Sequence, residues 1–219
     1  MLENMYQNKI IIIDYGMGNI LSVQRAFEKY CSNVFLSSNE DEILSADKLV
    51  LPGVGAFGKA MEELDKRNLI KVIQTFVKLN KPLLGICLGM QLLFDEGYEF
   101  GKFKGLGIIS GSVISIVNSK NKHKKLKIPH IGWSNLHITK NENESMLNFK
   151  DLINKNDYFY FVHSYMGVPQ NEKHLLAYSY YVNEKIPAII GKNMVLGCQF
   201  HPEKSGETGL KLIRNFCEY

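Results

Sequence analysis

Short aliphatic runs alternate with segments of helical period in the first half of the chain. Residues 9–14 are mostly β-branched, which is typical of a strand in a parallel sheet that is covered on both faces. From Asn19 onward, apolar side chains recur every three or four positions, which predicts a helix capped by Asn19. Further strands are predicted at 33–36, 48–51 and 82–86, and further helices after Asn39 and over 60–78. This order predicts an α/β fold with an open, mixed but mostly parallel sheet flanked by helices.

The second half of the chain is richer in β-structure. Residues 111–117, 131–138, 158–162, 175–182 and 194–200 favour strand over helix. A final helix is predicted from about Ser205, with Leu210, Ile213 and Cys217 on one face. No internal repeat and no linker rich in Pro, Gly or Ser divides the 219 residues, so we expect residues 1–219 to form a single domain.

Composition narrows the class of protein. With 45% hydrophobic and 22% charged residues, the chain has the composition of a folded globular protein rather than a disordered one. No apolar run approaches the roughly 20 residues of a membrane helix. The start of the chain also lacks the basic cluster and apolar stretch of a signal peptide. We therefore expect a cytoplasmic protein that does not enter a membrane.

The positive charge of the chain is small and local. The formal net charge is +4, and much of the excess comes from lysines in the segment 120–127. A nucleic-acid-binding protein would more often spread its basic residues along a face and interleave aromatic ones, which this segment does not do. We predict a solvated loop and no nucleic-acid partner; a surface for an anionic ligand or partner is the alternative.

Cys87 is the first candidate for chemistry. The four cysteines have no C-x-x-C spacing, which argues against a zinc cage and a redox dithiol. Cys87 lies between Gly85 and Gly89, where a buried strand meets the start of a helix. This arrangement is typical of a nucleophile elbow with sulfur as the attacking atom, and the helix N-terminus favours the reactive thiolate. The alternative is a cysteine packed in the core as a small hydrophobic residue.

The segment His201-Pro202-Glu203 is the second candidate. In an extended chain, alternate side chains share a face, so His201 and Glu203 can point together. A carboxylate beside an imidazole fixes its tautomer and stabilises the protonated ring, as a general base and acid requires. A surface His and Glu at the end of a strand is the alternative. With Cys87, the two residues would complete the thiol version of a catalytic triad.

The segment Pro52-Gly53-Val54-Gly55 forms a glycine-rich turn after a predicted strand. Its backbone amides, together with that of Leu88, could donate hydrogen bonds to the oxyanion that forms when Cys87 attacks a carbonyl. A phosphate cradle is less favoured because the Lys and Ser/Thr of a P-loop are absent. A plain turn is the remaining alternative.

Several segments carry a resemblance to a known family. In chain order, P-G-V-G at 52–55, G-I-C-L-G-M-Q at 85–91 and Q-F-H-P-E-K-S at 199–205 resemble the oxyanion loop, the elbow and the His-Glu motif of class I glutamine amidotransferases. Three more segments are I-I-D-Y-G-M-G-N at 12–19, P-H-I-G-W at 129–133 and Y-F-V-H-S-Y at 160–165. These are similar to the glutaminase subunits of imidazole glycerol phosphate synthase. The resemblance covers nearly the whole chain.

The resemblance implies a flavodoxin-like fold and a glutaminase activity that needs neither a metal nor a cofactor. It implies that Cys87 attacks the side-chain amide of glutamine, that His201 transfers protons, and that Glu203 orients His201. Val54 and Leu88 would lend amides to the oxyanion, with a loop flip left open for Val54. The positions that match substrate-binding residues of the family are Gly53, Gly55, Gln91, His163, Ser164 and Tyr165.

The resemblance also implies a partner. In such enzymes ammonia passes through a channel into a HisF-like (β/α)-barrel cyclase subunit, in a heterodimer that serves histidine biosynthesis, and glutamine hydrolysis is weak until the cyclase binds its nucleotide. Ser134 and Met166 depart from the usual family pattern near the region expected to meet the barrel. The recipient therefore stays open, because similar paralogues supply ammonia to sugar amidotransferases for surface polysaccharides.

Two readings from other classes remain. A catalytically silent binding module could retain this scaffold, but the intact Cys87, His201 and Glu203 argue against it. A cysteine peptidase is conceivable from the triad alone, although the rest of the resemblance favours a free amino-acid amide over a peptide as substrate.

Overall fold

Within the described residues, a mixed sheet of eight strands forms the centre of the fold. The computed structural model describes residues 5–118, 127–140, 145 and 152–219. The strands are β1 (Ile10–Ile13), β2 (Val34–Ser37), β3 (Lys48–Leu51), β4 (Leu83–Ile86), β5 (Phe94–Gly97), β6 (Phe103–Lys104), β7 (Ile109–Ser115), β8 (His130–Asn135), β9 (His137–Ile138), β10 (Tyr158–His163), β11 (Tyr165–Pro169), β12 (Leu175–Tyr181), β13 (Glu184–Lys192) and β14 (Val195–Cys198). The helices are α1 (Ile20–Glu28), α2 (Glu40–Ser45), α3 (Phe57–Lys66), α4 (Leu69–Lys78), α5 (Leu88–Leu92) and α6 (Gly206–Glu218).

The central sheet has the strand order β2-β1-β3-β4-β14-β13-β12-β9. Pairing is parallel from β2 to β14 and antiparallel from β14 to β9. Two smaller sheets lie beside it, one of β10 and β8 and one in the order β11-β7-β5-β6. The prediction of an α/β fold with a mixed, mostly parallel sheet is therefore confirmed.

Both faces of the sheet are covered by helices, as the β-branched run of β1 predicts. Ile10 and Ile12 belong to a core cluster that includes side chains of α1 and α6. Ile11 and Ile13 belong to a second cluster that includes side chains of α3 and α4. Because successive side chains of a strand point to opposite faces, a strand buried on both sides needs apolar residues at every position.

The single helix predicted over 60–78 is wrong, since the structure has two helices there. α3 ends at Lys66 and α4 begins at Leu69, with Asn68 between them in the left-handed region at φ 58°. Asn tolerates this conformation better than most residues. The apolar period continues across the break because both helices pack on the same face of the sheet, so the pattern alone did not reveal the turn.

The strands of the second half differ from prediction in two ways. The strand expected at 131–138 is divided, because β8 pairs with β10 whereas β9 pairs with β12 in the central sheet. β11 and β13 were not predicted, and β13 lies between β12 and β14. Sequence periodicity does not indicate which neighbour a strand pairs with, so it could not separate the two sheets.

Two sequence predictions concern segments beyond the core. The lysine-rich loop falls mainly on residues 119–126, which lie outside the described residues. Lys127 is described, and its carbonyl oxygen accepts a hydrogen bond of 2.6 Å from the Tyr181 hydroxyl.

Among helices within the described ranges, none is long and apolar enough to cross a membrane.

Three adjacent strands end together at one edge of the central sheet. β3, β4 and β14 are parallel neighbours, with Leu51 aligned to Gly85 and Ile86 aligned to Cys198. The residues that follow these strands therefore emerge at the same edge, which is the usual location of a site in an open α/β sheet. The strand order therefore brings together the glycine-rich turn after β3, the Cys87 elbow after β4 and the His-Glu segment after β14.

The glycines around Cys87 are required by close backbone contacts. A Cβ on Gly85 would lie 2.8 Å from the carbonyl oxygen of Gly89, and a Cβ on Gly89 would collide with the carbonyl oxygen of Leu51. Backbone atoms cannot move aside as flexible side chains can. Helix α5 packs this closely on β3 and β4 only because neither position has a side chain.

We expect Gly89→Ala to lower the free energy of unfolding by about 1–3 kcal/mol, since the added methyl must push α5 away from β3. Chemical denaturation measures this change. Gly58→Ala is the matched control, because the atoms nearest to its Cβ would belong to the side chain of Phe103 rather than to the backbone. Equal losses in the two variants would contradict the proposed backbone collision.

Candidate active site

Cys87 occupies a strained turn between β4 and α5. Its backbone has φ 54° and ψ −110°, which is rare for a residue other than glycine. The Cys87 N–H donates a hydrogen bond of 2.8 Å to the carbonyl oxygen of Cys198, which attaches the turn to β14. Cys87 lines a cavity of about 330 Å³, so the turn presents the thiol to an open space. This is the geometry of a nucleophile elbow.

His201 and Glu203 form a buried pair beside Cys87. Nδ1 of His201 lies 2.8 Å from Oε1 of Glu203, and the two side chains are 3% and 1% exposed. The two side chains point together, as the sequence analysis expected, but they do not do so from an extended chain. Glu203 belongs to a short 3-10 turn, Pro202–Lys204, rather than to extended chain. The turn brings the carboxylate to the ring.

Neighbouring residues hold His201 in place, and the sequence did not single them out. The His201 N–H donates to the carbonyl oxygen of Tyr160 at 2.9 Å. The Ser205 hydroxyl donates to the carbonyl oxygen of His201 at 2.6 Å and accepts from the Tyr160 N–H at 2.9 Å. Strand β10 and Ser205 therefore fix the backbone from which the imidazole projects.

The pair makes His201 an imidazolium at neutral pH. Burial by itself lowers the pKa of His201, but the Cys87 thiol and the Glu203 carboxylate outweigh it and raise the pKa to about 9. Nε2 of His201 is buried and has no hydrogen-bond partner among the described residues, and the Cys87 thiol is one of the two groups that raise the pKa of this ring. An imidazolium beside a cysteine favours the nucleophilic thiolate and holds a proton ready for a leaving group.

The glycine-rich turn after β3 reaches the same cavity. Val54, Gly55 and Leu88 line it with Cys87. Gly53 does not line the cavity, because it is buried where a Cβ would meet Leu88 and the hydroxyl of Tyr15.

Tyr15 fixes this turn and was not singled out as a site residue. Its hydroxyl donates a hydrogen bond of 2.8 Å to the carbonyl oxygen of Pro52. Burial and the nearby Cys87 raise the pKa of Tyr15 well above its usual range. The hydroxyl therefore stays protonated and remains a donor to the turn.

Further lining of the cavity comes from α5 and from the junction of β10 and β11. It includes Gln91, His163, Ser164 and Tyr165. Nε2 of Gln91 lies 2.9 Å from the carbonyl oxygen of Tyr165 and 3.0 Å from Oε1 of Gln199. An amide nitrogen has two N–H groups, so both donors of Gln91 are used. Only its carbonyl oxygen is left for a ligand, which must then be a donor.

His163 is a structural imidazole rather than an acid or base. Its Nδ1 lies 2.8 Å from the carbonyl oxygen of Tyr165, and its Nε2 lies 3.1 Å from Nδ1 of His130. A carbonyl only accepts, so Nδ1 of His163 carries the proton and Nε2 accepts from His130. Burial lowers the pKa of His163 to about 3 and that of His130 to about 4. Both rings are therefore neutral at physiological pH.

The other three cysteines are not placed to act as nucleophiles at this cavity. Cys31, Cys198 and Cys217 are free thiols buried in the core. Burial raises the pKa of each one, to about 12 for Cys217. Among the cysteines, Cys87 alone lines the cavity that holds His201.

The fold and the Cys87, His201 and Glu203 arrangement define a class of protein, and comparison with known proteins agrees. Residues 11–218 match the family Glutamine amidotransferase class-I. The chain belongs to this family, which confirms the resemblance predicted from its motifs.

Its relatives include imidazole glycerol phosphate synthase subunits HisH. The subunit of Lactococcus lactis subsp. lactis is 48% identical over 210 residues, covering 96% of this chain and 98% of the relative. That of Sulfurimonas denitrificans is 45% identical over 210 residues, with the same coverage of each chain.

Solved structures share the fold at low sequence identity. A crystal structure of a glutamine amidotransferase has a TM-score of 0.70 at 14% identity and covers 95% of this chain and 99% of its own. The structure of PurLQS from Thermotoga maritima has a TM-score of 0.69 at 18% identity, with coverage of 97% and 99%.

We expect Glu203→Gln to lower the pKa of His201 from about 9 by about one pH unit or more, because the carboxylate that favours the charged ring is removed. NMR titration of the His201 ring measures this. The pKa of His201 is higher in the folded chain than the ordinary value of about 6.5, so protonated His201 stabilises the fold. This contribution is complete below about pH 6.5 and is lost as the pH rises through the pKa of the folded state. Glu203→Gln should therefore lose stability most in the acidic and neutral range. Glu207→Gln is the control, and an unchanged His201 titration in Glu203→Gln would contradict the prediction.

Proposed function

We propose that this chain is the glutaminase subunit of an imidazole glycerol phosphate synthase. It hydrolyses glutamine to glutamate and ammonia and passes the ammonia to a synthase subunit in histidine biosynthesis. The observation that carries the proposal is that Cys87 and His201 line one cavity and that Glu203 lies 2.8 Å from the His201 ring. The HisH relatives, at 45–48% identity over nearly the full length, support the specific reaction. Residues 1–219 act as a single amidotransferase domain, and the place of action is the cytoplasm.

In the first half of the proposed reaction, the Cys87 thiolate attacks the side-chain carbonyl carbon of glutamine. The carbonyl oxygen becomes an oxyanion, and the backbone amides of Leu88 and Val54 donate hydrogen bonds to it. The His201 imidazolium then gives its proton to the amide nitrogen. Ammonia leaves, and a glutamyl thioester remains on Cys87.

In the second half, water replaces ammonia. Neutral His201 takes a proton from the water as the water oxygen attacks the thioester carbon, and Glu203 stabilises the imidazolium that forms again. The carbon–sulfur bond breaks, glutamate is released, and the thiolate and imidazolium are restored. One water is consumed for each glutamine, so the balance requires no metal and no cofactor.

The lining from α5 and from the junction of β10 and β11 would hold the amino-acid end of glutamine. The free carbonyl oxygen of Gln91 accepts from the α-ammonium group, and Gly55, Ser164 and Tyr165 enclose the substrate. Gly53 acts through packing, because it supports the turn from behind. His163 keeps Tyr165 in place without introducing a charge.

The two-stranded sheet of β8 and β10 would dock the synthase partner. Its exposed face carries Ile131, Trp133 and Tyr158, each more than half exposed. Val162 and His163 of β10 line the cavity. The same small sheet therefore carries both the exposed patch and part of the active-site lining. Such an apolar patch marks a protein interface. We propose that the partner is a HisF-like (β/α)-barrel cyclase, in a heterodimer.

Glutamate release from glutamine tests the proposed activity. We expect slow turnover by the isolated chain and an increase of about 10² to 10³ when a HisF-like cyclase and its nucleotide substrate complete the oxyanion hole, the effect of one added donor. Cys87→Ala should abolish the activity, whereas Cys31→Ala, in a buried thiol outside the cavity, should retain it. Stimulation only by a sugar amidotransferase with its substrate would contradict the cyclase as the recipient of ammonia and would favour the sugar amidotransferase. No glutamate under any condition would favour a silent module.

We expect Trp133→Glu to weaken activation by the cyclase at least tenfold, because a charge is placed in a desolvated apolar contact. The concentration of cyclase that gives half-maximal stimulation measures this. Leu79→Glu is the control, since Leu79 is similarly exposed but follows α4, away from the cavity. Equal effects of the two variants would place the partner elsewhere.

A further inference from the structure

Gln199 is a fully buried polar side chain directly after β14. It lies between Cys198 and Phe200, and all three are 0% exposed. Gln199 does not line the cavity of Cys87, so it is not placed to touch a substrate. A buried amide is costly unless its polar atoms have partners. The contacts that Gln199 makes therefore indicate why a polar residue is present in the core.

The amide of Gln199 contacts the nucleophile. Its Nε2 lies 3.8 Å from Sγ of Cys87, a distance that suits a donor to the large sulfur atom. Its Oε1 lies 3.0 Å from Nε2 of Gln91, whose other N–H donates to the carbonyl oxygen of Tyr165. One chain of hydrogen bonds thus runs from the β11 backbone through two glutamines to the sulfur.

This chain fixes which end of the Gln199 amide faces Cys87. The carbonyl oxygen of Tyr165 can only accept, so the Gln91 nitrogen must face it and must donate its second N–H to Gln199. The Gln199 oxygen is therefore the acceptor, and its NH₂ group is directed to the sulfur. A flipped amide would place two oxygens, or two N–H groups, against each other.

We propose that Gln199 donates a hydrogen bond to the thiolate of Cys87, in an orientation imposed by Gln91, and that it stabilises and positions the nucleophile. A charged sulfur is a stronger acceptor than a neutral thiol, so the contact favours the thiolate. The catalytic consequence rests on the proposed glutaminase function, but the contact itself does not. Two groups then act on the same sulfur, the charged His201 ring, whose pKa the Cys87 thiol raises, and the amide of Gln199.

The pH dependence of Cys87 alkylation by iodoacetamide, followed by peptide mass spectrometry, tests this. We expect Gln199→Met, which keeps the length of the side chain and removes the donor, to move the midpoint of the profile up by about one pH unit. Below that midpoint, alkylation should slow about tenfold, the effect of a hydrogen bond to a charged group. Gln74→Met is the matched control, because it removes a 2.8 Å hydrogen bond from a Gln amide to the carbonyl oxygen of Leu106, remote from the site.

A second variant covers the case in which Gln199→Met does not fold. Gln199→Asn keeps the amide but shortens the side chain by one methylene, which withdraws the NH₂ group from the sulfur, so the midpoint should again rise. A wild-type profile in a folded Gln199→Met or Gln199→Asn protein would overturn the proposal, as would an equal shift in Gln74→Met. The alkylation assay needs no partner and no turnover. A shifted midpoint in a chain without glutaminase activity would therefore reject the proposed function and leave this inference intact.

Discussion

The carboxyl ends of β3, β4 and β14 meet at one edge of the central sheet, and each part of the site depends on this convergence. Pro52, Cys87 and His201 are far apart in the chain but follow three neighbouring parallel strands. The strands are buried on both faces, so their ends are held rigidly. Close contact of α5 with this edge, possible because Gly89 has no side chain, sets the position of the thiol.

The partners of each buried histidine decide whether its ring is charged. Desolvation by itself would leave His201 neutral, but the thiol and the Glu203 carboxylate beside it hold the ring in the charged form. A similar degree of burial without a carboxylate partner leaves His163 neutral at physiological pH, as an anchor for Tyr165. Two histidines at one cavity thus acquire different roles from their hydrogen-bond partners.

The nucleophile and the proposed partner surface are connected through short-range contacts. The carbonyl oxygen of Tyr165 accepts from both Gln91 and His163. Gln91 is hydrogen-bonded to Gln199, whose amide contacts the Cys87 sulfur. His163 is hydrogen-bonded to His130, the first residue of β8 in the β8–β10 sheet. A displacement of that sheet would therefore reach the nucleophile through hydrogen bonds rather than through a long rearrangement. This geometry is consistent with control of hydrolysis by a bound synthase subunit.

The sequence by itself determined the α/β fold, the elbow at Cys87 and the pairing of His201 with Glu203, because these follow from local period, small residues and short spacing. It did not reveal the break at Asn68, the division of β8 from β9, or the roles of Tyr15, Ser205 and Gln199. Those depend on contacts between residues far apart in the chain, which periodicity does not encode. Gln199 is the clearest case: in sequence it is one residue of a motif, and only the tertiary structure places its amide against the sulfur of Cys87, in the turn after β4.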